Sequence, residues 1–245
     1  MRLKGKVCLV TGGAQRLGRA IALEMAAQGC AVALHYHRSA AEAHTALAAI
    51  RALGVDCRLF QADLSKSAPA LGLAKAVIKS FGACDVLVNS AAVFPRTSLE
   101  QARPADFDGP YALNLRAPAL LTKAMGLWNL DHRRSARIIN IGDVGGQLAW
   151  PGALPYSLSK AGLVQLTRAS ARALAPYVLV NCVALGPMLA PPADNPAQKR
   201  ASLRRTLLKR LGGAREAARA VAFLAASDYI TGAVLPVDGG RSLVP

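Results

Sequence analysis

The chain has 245 residues, 53% of them hydrophobic, which is enough to bury one sizeable core, and α/β domains of this size are commonly single. No apolar run approaches the ~18 residues of a membrane span, and no signal-peptide core follows Met1, so we expect one cytoplasmic domain over residues 1–245. The net charge of +16 suggests a polyanionic partner, but no interleaved aromatic residues indicate base stacking. We expect no nucleic-acid and no membrane partner, and we assign the charge to steering of anionic ligands.

The cysteines stand at positions 8, 30, 57, 84 and 182, and most of them fall within apolar runs. They are odd in number, form no CxxC pair and have no histidines nearby. This pattern predicts buried thiols in a reducing compartment and no metal site.

Seven short apolar runs alternate with helical patterns of apolar residues and predict the strands of one sheet. They cover residues 7–10, 30–36, 57–60, 85–89, 137–142, 178–183 and 233–237. The alternation is typical of βαβ units, so we expect an α/β fold with a parallel sheet covered by helices on both faces. Right-handed crossovers then place the carboxyl ends of the strands, and with them the ligands, along one edge.

The first predicted strand leads into a glycine-rich turn, Thr11 to Gly18, which opens a helical pattern. A helix that begins after such a turn presents backbone N–H groups and the positive end of its dipole to an anion, the geometry that binds a dinucleotide pyrophosphate. The glycine spacing differs from the usual fingerprint, because Arg16 occupies a position where many such loops carry another glycine.

The second predicted strand runs into a short polar segment composed of His35, Tyr36, His37, Arg38 and Ser39. In dinucleotide-binding folds an acidic residue here binds the adenosine ribose, and its charge would repel a 2′-phosphate. This chain has no acid at that place, whereas Arg16, Arg38 and Ser39 offer two cations and a hydroxyl to a phosphate. We therefore expect NADPH as the cofactor, with surface arginines that bind no ligand as the alternative.

Tyr156 and Lys160 stand four residues apart, so on a helix both side chains project from one face. A free tyrosine has a pKa of about 10, and a fixed positive charge beside it favours the phenolate. The pair therefore predicts proton exchange with a substrate near neutral pH, whereas an exposed tyrosine beside a solvated lysine is the alternative for the pair taken alone.

Several motifs in one order resemble the short-chain dehydrogenase/reductase family: Thr11–Gly18, Asn89-Ser90-Ala91, Asn114, the Tyr156 and Lys160 pair, Asn181–Gly186 and Val237–Gly240. The resemblance covers nearly the whole chain and implies a single Rossmann-type domain, a homotetramer, and a proton relay in which Asn114 holds a water beside Lys160. The resemblance also implies a set of cofactor contacts that adds to the segment after the second strand. These are Gly12, Arg16, Leu17, Gly18, Asp63, Leu64, Asn89, Ala91, Tyr156, Lys160 and Gly186.

Asp143 stands where most members of that family carry a serine that helps to bind a substrate carbonyl. An ionised carboxylate would repel a developing oxyanion, but it could pair with an amidine-like ring edge or, when protonated, deliver a proton to a ring nitrogen. With Arg16 and the polar segment after the second strand, this departure resembles the pteridine reductase branch, which is similar to bacterial dihydromonapterin and alternative dihydrofolate reductases. The branch implies substrate contacts from Phe94, Asp143 and Tyr156; for Phe94, a place in the core is the alternative.

We therefore predict an NADPH-dependent reductase of a pteridine or folate C=N bond, with Asp143 binding the pterin or supplying a proton. A substrate lid is expected at about 188–212, and its basic residues could attract a folate tail or the phosphate of a carrier-bound acyl group. A 3-oxoacyl-carrier or other carbonyl reductase is thus the alternative enzyme. A protein that senses NADPH or binds a polyanion without turnover is a remote alternative, against which the relay residues argue.

Overall fold

A parallel sheet forms the centre of the computed structural model, which describes residues 1–148, 150–190 and 196–244. Its seven strands in the described chain are β1 (Val7–Val10), β2 (Ala31–Tyr36), β3 (Cys57–Gln61), β4 (Val86–Asn89), β5 (Ala136–Asp143), β6 (Val178–Leu185) and β7 (Val234–Val237). Each apolar run of the sequence forms one of these strands, with ends that differ by no more than two residues. The predicted fold class is confirmed.

Helices join the successive strands and lie on both faces of the sheet. In the described chain they are α1 (Arg16–Ala27), α2 (Ala40–Arg51), α3 (Ser67–Phe81), α4 (Pro104–Pro110), α5 (Ala117–Asp131), α6 (Leu154–Leu174), α7 (Pro196–Arg204) and α8 (Ala214–Ala226). A π-helical segment, Tyr111–Arg116, joins α4 to α5. The lid predicted at about 188–212 includes α7, but its residues 191–195 lie outside the described residues.

Side-chain alternation along each strand divides the core into two layers, because successive side chains of a strand point to opposite faces of the sheet. In β1, Cys8 and Val10 pack with α1, α2 and α8, while Leu9 packs on the other face with α3 and α5. Both faces are therefore apolar, which explains the nearly continuous hydrophobic runs of the strands. All five cysteines are buried, as predicted.

The strand order β3-β2-β1-β4-β5-β6-β7 reverses direction between β1 and β4, which are neighbours in the sheet. The chain leaves these two strands toward opposite sides, so a crevice opens at their carboxyl ends, where α/β folds bind ligands. Across the described residues, no helix is long and apolar enough to cross a membrane, and no cluster of His, Cys, Asp and Glu is arranged to hold a metal ion.

Candidate active site

The glycine turn after β1 packs so tightly that two of its positions require glycine. Gly12 has φ +64°, and a Cβ at Gly18 would lie 2.1 Å from the carbonyl oxygen of Gly12. Gln15, at the start of α1, donates its side-chain amide to Ser39 Oγ at 2.7 Å instead of capping the helix. No side chain therefore caps the first N–H groups of α1, and we expect them to bind an anion such as a pyrophosphate.

Substitution of Gly18 by alanine is expected to abolish dinucleotide binding, because the new Cβ would overlap the Gly12 carbonyl. The turn would have to open, and overpacking of this kind costs about 1–3 kcal/mol of folding free energy. Titration of NADPH by fluorescence, together with thermal unfolding, measures both effects. Gly72→Ala in α3 is the matched control, because no atom lies within 4 Å of its added Cβ; equal NADPH affinity of the two variants would contradict the prediction.

Arg16 has φ +49°, a left-handed conformation that non-glycine residues seldom adopt. This explains why many loops of this kind carry glycine at that place. The side chain of Arg16 is exposed, and its Nη2 donates to the carbonyl of Ala190 at 3.3 Å, on the far side of the crevice. The backbone is thus strained at Arg16, the position from which a guanidinium extends over the crevice.

The polar segment after β2 divides into a buried and an exposed part. His35 is buried: its Nδ1 accepts from the Gly12 N–H at 3.0 Å, its Nε2 bonds the Ala62 carbonyl at 3.1 Å, and burial lowers its pKa to about 4. The ring of His35 is therefore neutral at physiological pH, and both of its nitrogens bond within the protein, where they support the glycine turn. Within this segment, the residues after His35 are left as the predicted contacts of the 2′-phosphate. His37 and Arg38 are exposed beside Ser39, within reach of the turn that carries Arg16.

Three other residues predicted to contact a cofactor use their side chains within the protein. Asp63 accepts hydrogen bonds from the N–H and the hydroxyl of Ser65, and Leu64 is buried in the core. Asn89 donates to Asn140 Oδ1 at 2.8 Å, which joins β4 to β5. A cofactor contact at these positions stays a prediction, and it would be made chiefly by their backbone.

Thr11 joins the ends of β1 and β4, a role that sequence reasoning missed. Its hydroxyl accepts from the N–H groups of Ser90 and Ala91, at 2.9 and 3.0 Å, and donates to the Val88 carbonyl. A Cβ at Gly12 would lie 3.1 Å from Ala91 Cα, so the two turns pack backbone against backbone. Small residues at 90 and 91 allow this close approach of the two turns.

Asp143 and Tyr156 meet at the carboxyl end of β5. Asp143 ends the strand, and Tyr156 lies in the first turn of α6, which begins with Leu154 and Pro155. The Tyr156 hydroxyl donates to Asp143 Oδ2 at 2.9 Å, while Asp143 Oδ1 accepts from the Gly145 N–H at 2.7 Å. One carboxylate oxygen is thus held by the backbone and the other by the phenol, and both residues line the central cavity.

Lys160 is buried on the same face of α6 as Tyr156. Its Nζ donates to the Ile141 carbonyl at 2.7 Å and lies 5.7 Å from the centroid of the Tyr156 ring. Burial lowers the pKa of Lys160, and the charge of Asp143 opposes that shift. The lysine therefore contributes a positive charge near the phenol without contacting its oxygen.

The pKa of Tyr156 moves opposite to the sequence prediction. Burial raises it well above the ordinary value. Asp143 raises it further through its negative charge and by accepting the hydrogen bond that the neutral phenol donates. The expectation that the positive charge of Lys160 favours the phenolate of Tyr156 is therefore wrong for this site. Burial also raises the pKa of Asp143, while its bonds to Gly145 and Tyr156 act in the opposite direction.

Asn114 lies in the π-helical segment and is buried. Its Oδ1 accepts from the Val93 N–H, and its Nδ2 donates to the Val93 carbonyl and to Ser159 Oγ, each at 2.9–3.0 Å. Ser159 in turn donates to the Tyr156 carbonyl at 2.6 Å. The side chain thus ties the segment after β4 to the helix that carries Tyr156, and its part in a water relay stays a prediction.

A cavity of about 1070 Å³ connects these groups along the carboxyl edge of the sheet. Phe94 lines it with its ring 4.5 Å from that of Tyr156 in a T-shaped arrangement, and its side chain is 44% exposed, so a place in the core is excluded. Gly186 closes the opposite wall, where an added Cβ would lie 2.6 Å from Asp238 Cα. Met188, the first residue of the predicted lid, also lines the cavity, whereas sequence reasoning did not assign Trp150 and Arg241 to it.

This arrangement defines a class of protein: a nucleotide-dependent oxidoreductase with a buried tyrosine and lysine beside a partly buried carboxylate at the end of a Rossmann-type sheet. Comparisons with known proteins agree. Residues 12–242 match the family model described as enoyl-(acyl carrier protein) reductase. The chain belongs to the short-chain dehydrogenase/reductase family.

Similar curated proteins include 3-oxoacyl-[acyl-carrier-protein] reductases. The FabG protein of Staphylococcus aureus is 34% identical over 96% of this chain and 97% of its own, and the Synechocystis protein is 36% identical over 97% of each. Among solved structures, a blue fluorescent protein from a metagenomic library in complex with NADPH has a TM-score of 0.91 at 32% identity, covering 99% of this chain and 100% of that one. A short-chain dehydrogenase/reductase from Serratia marcescens also has a TM-score of 0.91, at 33% identity and the same coverage.

These relatives favour the carbonyl-reductase alternative over the pteridine reductase that we predict from Asp143.

Proposed function

We propose that the protein is a reductase that uses NADPH to reduce a ring C=N bond of a pteridine or folate. The observation that carries this proposal is the hydrogen bond from Tyr156 to Asp143 inside the cavity. A carboxyl group at this place suits a substrate with ring nitrogens and N–H groups, which can donate to it or accept its proton.

The turn after β1 fits the pyrophosphate of the cofactor, because added Cβ atoms at Gly12 and Gly18 would fill the space in which its backbone packs. Arg16, Arg38 and Ser39 would hold a 2′-phosphate, and Tyr156 and Lys160 would bind the nicotinamide ribose. The solved relative in complex with NADPH supports this choice. When bound, NADPH supplies the hydride.

The protein groups would supply the proton that the ring nitrogen needs. Asp143 has a raised pKa, so a larger share of it is protonated near neutral pH than of an ordinary carboxyl, and its Oδ2 faces the phenol. We propose that Asp143 holds the ring edge and delivers the proton, while Tyr156 orients the carboxyl and relays a replacement proton. Lys160 would offset the negative charge that Asp143 acquires after the transfer. Phe94 would stack on the ring.

Reduction of a 3-oxoacyl group is the second candidate, and the names of the curated relatives favour it. In such a reaction the substrate oxygen becomes negative, and an ionised Asp143 beside Tyr156 would repel it. Both reactions would therefore use Asp143 in its protonated form. The two candidates differ because the N–H groups of a pteridine ring can also donate to the ionised carboxylate, whereas a ketone oxygen cannot, and this favours the pteridine.

A paired assay tests the proposal. NADPH oxidation is followed with 7,8-dihydrobiopterin or dihydrofolate in one arm and with an acetoacetyl thioester in the other. We expect kcat/KM to be at least about 10²-fold higher for a pteridine, the scale of one well-placed acid catalyst. Preferential turnover of the thioester would replace the proposed function by the second candidate. NADPH binding without turnover in either arm would favour a sensor, the remote alternative.

We also propose that the protein acts on a small molecule as a cytoplasmic homotetramer. Large apolar side chains are exposed on α6, at Leu158, and near the outer strand β7, at Phe223 and Tyr229. These surfaces are suited to contacts between identical chains, because buried apolar area stabilises symmetric assemblies.

A further inference from the structure

Arg241 is a buried cation that the proposed chemistry does not use. Arg241 follows β7 in the turn Asp238 to Ser242 and is only 7% exposed. It lines the same cavity as Asp143 and Tyr156. A guanidinium stays charged in proteins, so its burial requires compensation by hydrogen bonds or by an anion.

The turn that carries Arg241 is held rigidly. Asp238 accepts from the Gly240 N–H at 2.9 Å and from the Ser242 N–H at 2.7 Å. The Leu208 N–H donates to the Gly239 carbonyl at 3.1 Å, so the end of the lid segment packs on the turn. Arg241 is thus placed on the lid side of the cavity by backbone contacts from two segments.

The protein itself does not neutralise this charge within the described chain. Nη1 of Arg241 donates to the Val244 carbonyl at 2.6 Å, but no described carboxylate forms an ion pair with it. Asp238, the nearest acid in sequence, already accepts backbone N–H groups at both oxygens. Because a guanidinium has five N–H donors, most of its capacity is left for a partner in the cavity.

Further cations line the cavity. Arg16 and Arg205 do so with exposed side chains, and Lys160 does so from α6. Among the described lining residues, Asp143 is the one carboxylate. Arg16 lies in the glycine turn after β1. Arg205 precedes Thr206, which packs near Gly239, two residues before Arg241. Arg205 and Arg241 thus lie on neighbouring segments of the cavity lining, joined by the hydrogen bond from the Leu208 N–H to the Gly239 carbonyl.

We propose that Arg241, assisted by Arg205, binds a carboxylate on the tail of the pteridine substrate and so makes the enzyme selective for folate-type over neutral pterins. This inference rests on the proposed function and specifies its substrate class. A guanidinium and a carboxylate form charge-assisted, often bidentate hydrogen bonds, which are strongest where water is excluded. Arg241 acts on specificity and takes no part in hydride or proton transfer.

The test compares three substrates that share the dihydropterin ring: dihydrobiopterin has no carboxylate, dihydropteroate has one and dihydrofolate has two. In the wild-type protein we expect kcat/KM to rise from the first to the last. In Arg241→Gln we expect kcat/KM for dihydrofolate to fall about 10- to 100-fold, the scale of a lost charge-assisted bond, while the value for dihydrobiopterin changes less than about twofold. Isothermal titration gives the matching change in Kd without turnover.

Two further variants separate recognition from folding. Arg241→Lys keeps the charge and should restore part of the dihydrofolate affinity, whereas Arg219→Gln, an exposed change on α8 outside the cavity lining, should alter neither substrate. An equal loss for all three substrates in Arg241→Gln would overturn the inference and leave the proposed function intact. Failure of the wild-type protein to turn over any of the three would overturn the proposed function first.

Discussion

Tyr156→Phe is expected to lower kcat by about 10²–10⁴-fold with a much smaller change in KM, because in the proposed mechanism the phenol orients Asp143 and relays its proton. The ring would still pack against Phe94, so the shape of the cavity is kept. Asp143 Oδ2 loses the hydrogen bond from the phenol, which opposes the effect of burial, so the pKa of the Asp143 carboxyl should rise further. Steady-state kinetics with dihydrofolate and NADPH measure the effect.

Tyr177→Phe is the matched control for this variant. Tyr177 packs against the core layer formed with α3 and α5 and does not line the cavity, so its kinetics should equal those of the wild-type protein. NADPH affinity should fall by no more than a few-fold in Tyr156→Phe, since the variant loses one hydroxyl contact to the nicotinamide ribose while the glycine turn and Lys160 are kept. A Tyr156→Phe protein with wild-type kcat would show that the phenol has no part in the proton path.

Replacement of Asp143 is expected to exchange one substrate class for another. Asp143→Asn and Asp143→Ser should each lower pteridine turnover by about 10²–10⁴-fold, since neither side chain can deliver a proton as a carboxylic acid does. Asp143→Ser should also raise activity on the acetoacetyl thioester, because a hydroxyl can donate to a developing oxyanion that a carboxylate repels. The same paired assay measures both changes.

The fold should survive both substitutions. Asp143 Oδ1 accepts the Gly145 N–H at the start of the short helix Val144–Gly146, and the side-chain oxygens of Asn and Ser can accept the same hydrogen bond. Asp131→Asn, at the exposed end of α5, controls for the removal of a charge. An Asp143→Ser protein that kept full pteridine turnover would refute the role of the carboxyl group.

The pH dependence follows from the direction of the Asp143 pKa. Burial raises this pKa above the ordinary 3.8, and the proposed reaction needs the protonated form. As pH rises through the raised pKa, the acid form is lost, so kcat/KM should fall on the alkaline side of that value. This alkaline decrease in kcat/KM should be absent from the residual activity of Asp143→Asn, because that variant has no carboxyl group to titrate at this position.

The sequence by itself determined the sheet, because strands buried on both faces must be apolar along their whole length and therefore stand out as runs between helical patterns. It also indicated Tyr156, Lys160 and Asp143 as one site, since spacing along a helix and the common edge of parallel strands limit where these side chains can lie.

The tertiary structure decided which side chains are free to act and what their charges are. Its contacts assign the ring of His35 and the amide of Asn114 to internal hydrogen bonds. Burial, together with the proximity of Asp143, reverses the expected shift of the Tyr156 pKa. It also places Arg241, distant in sequence, on the wall of the cavity that holds Tyr156. Burial and the neighbours across the fold set these properties, and neither follows from local sequence spacing.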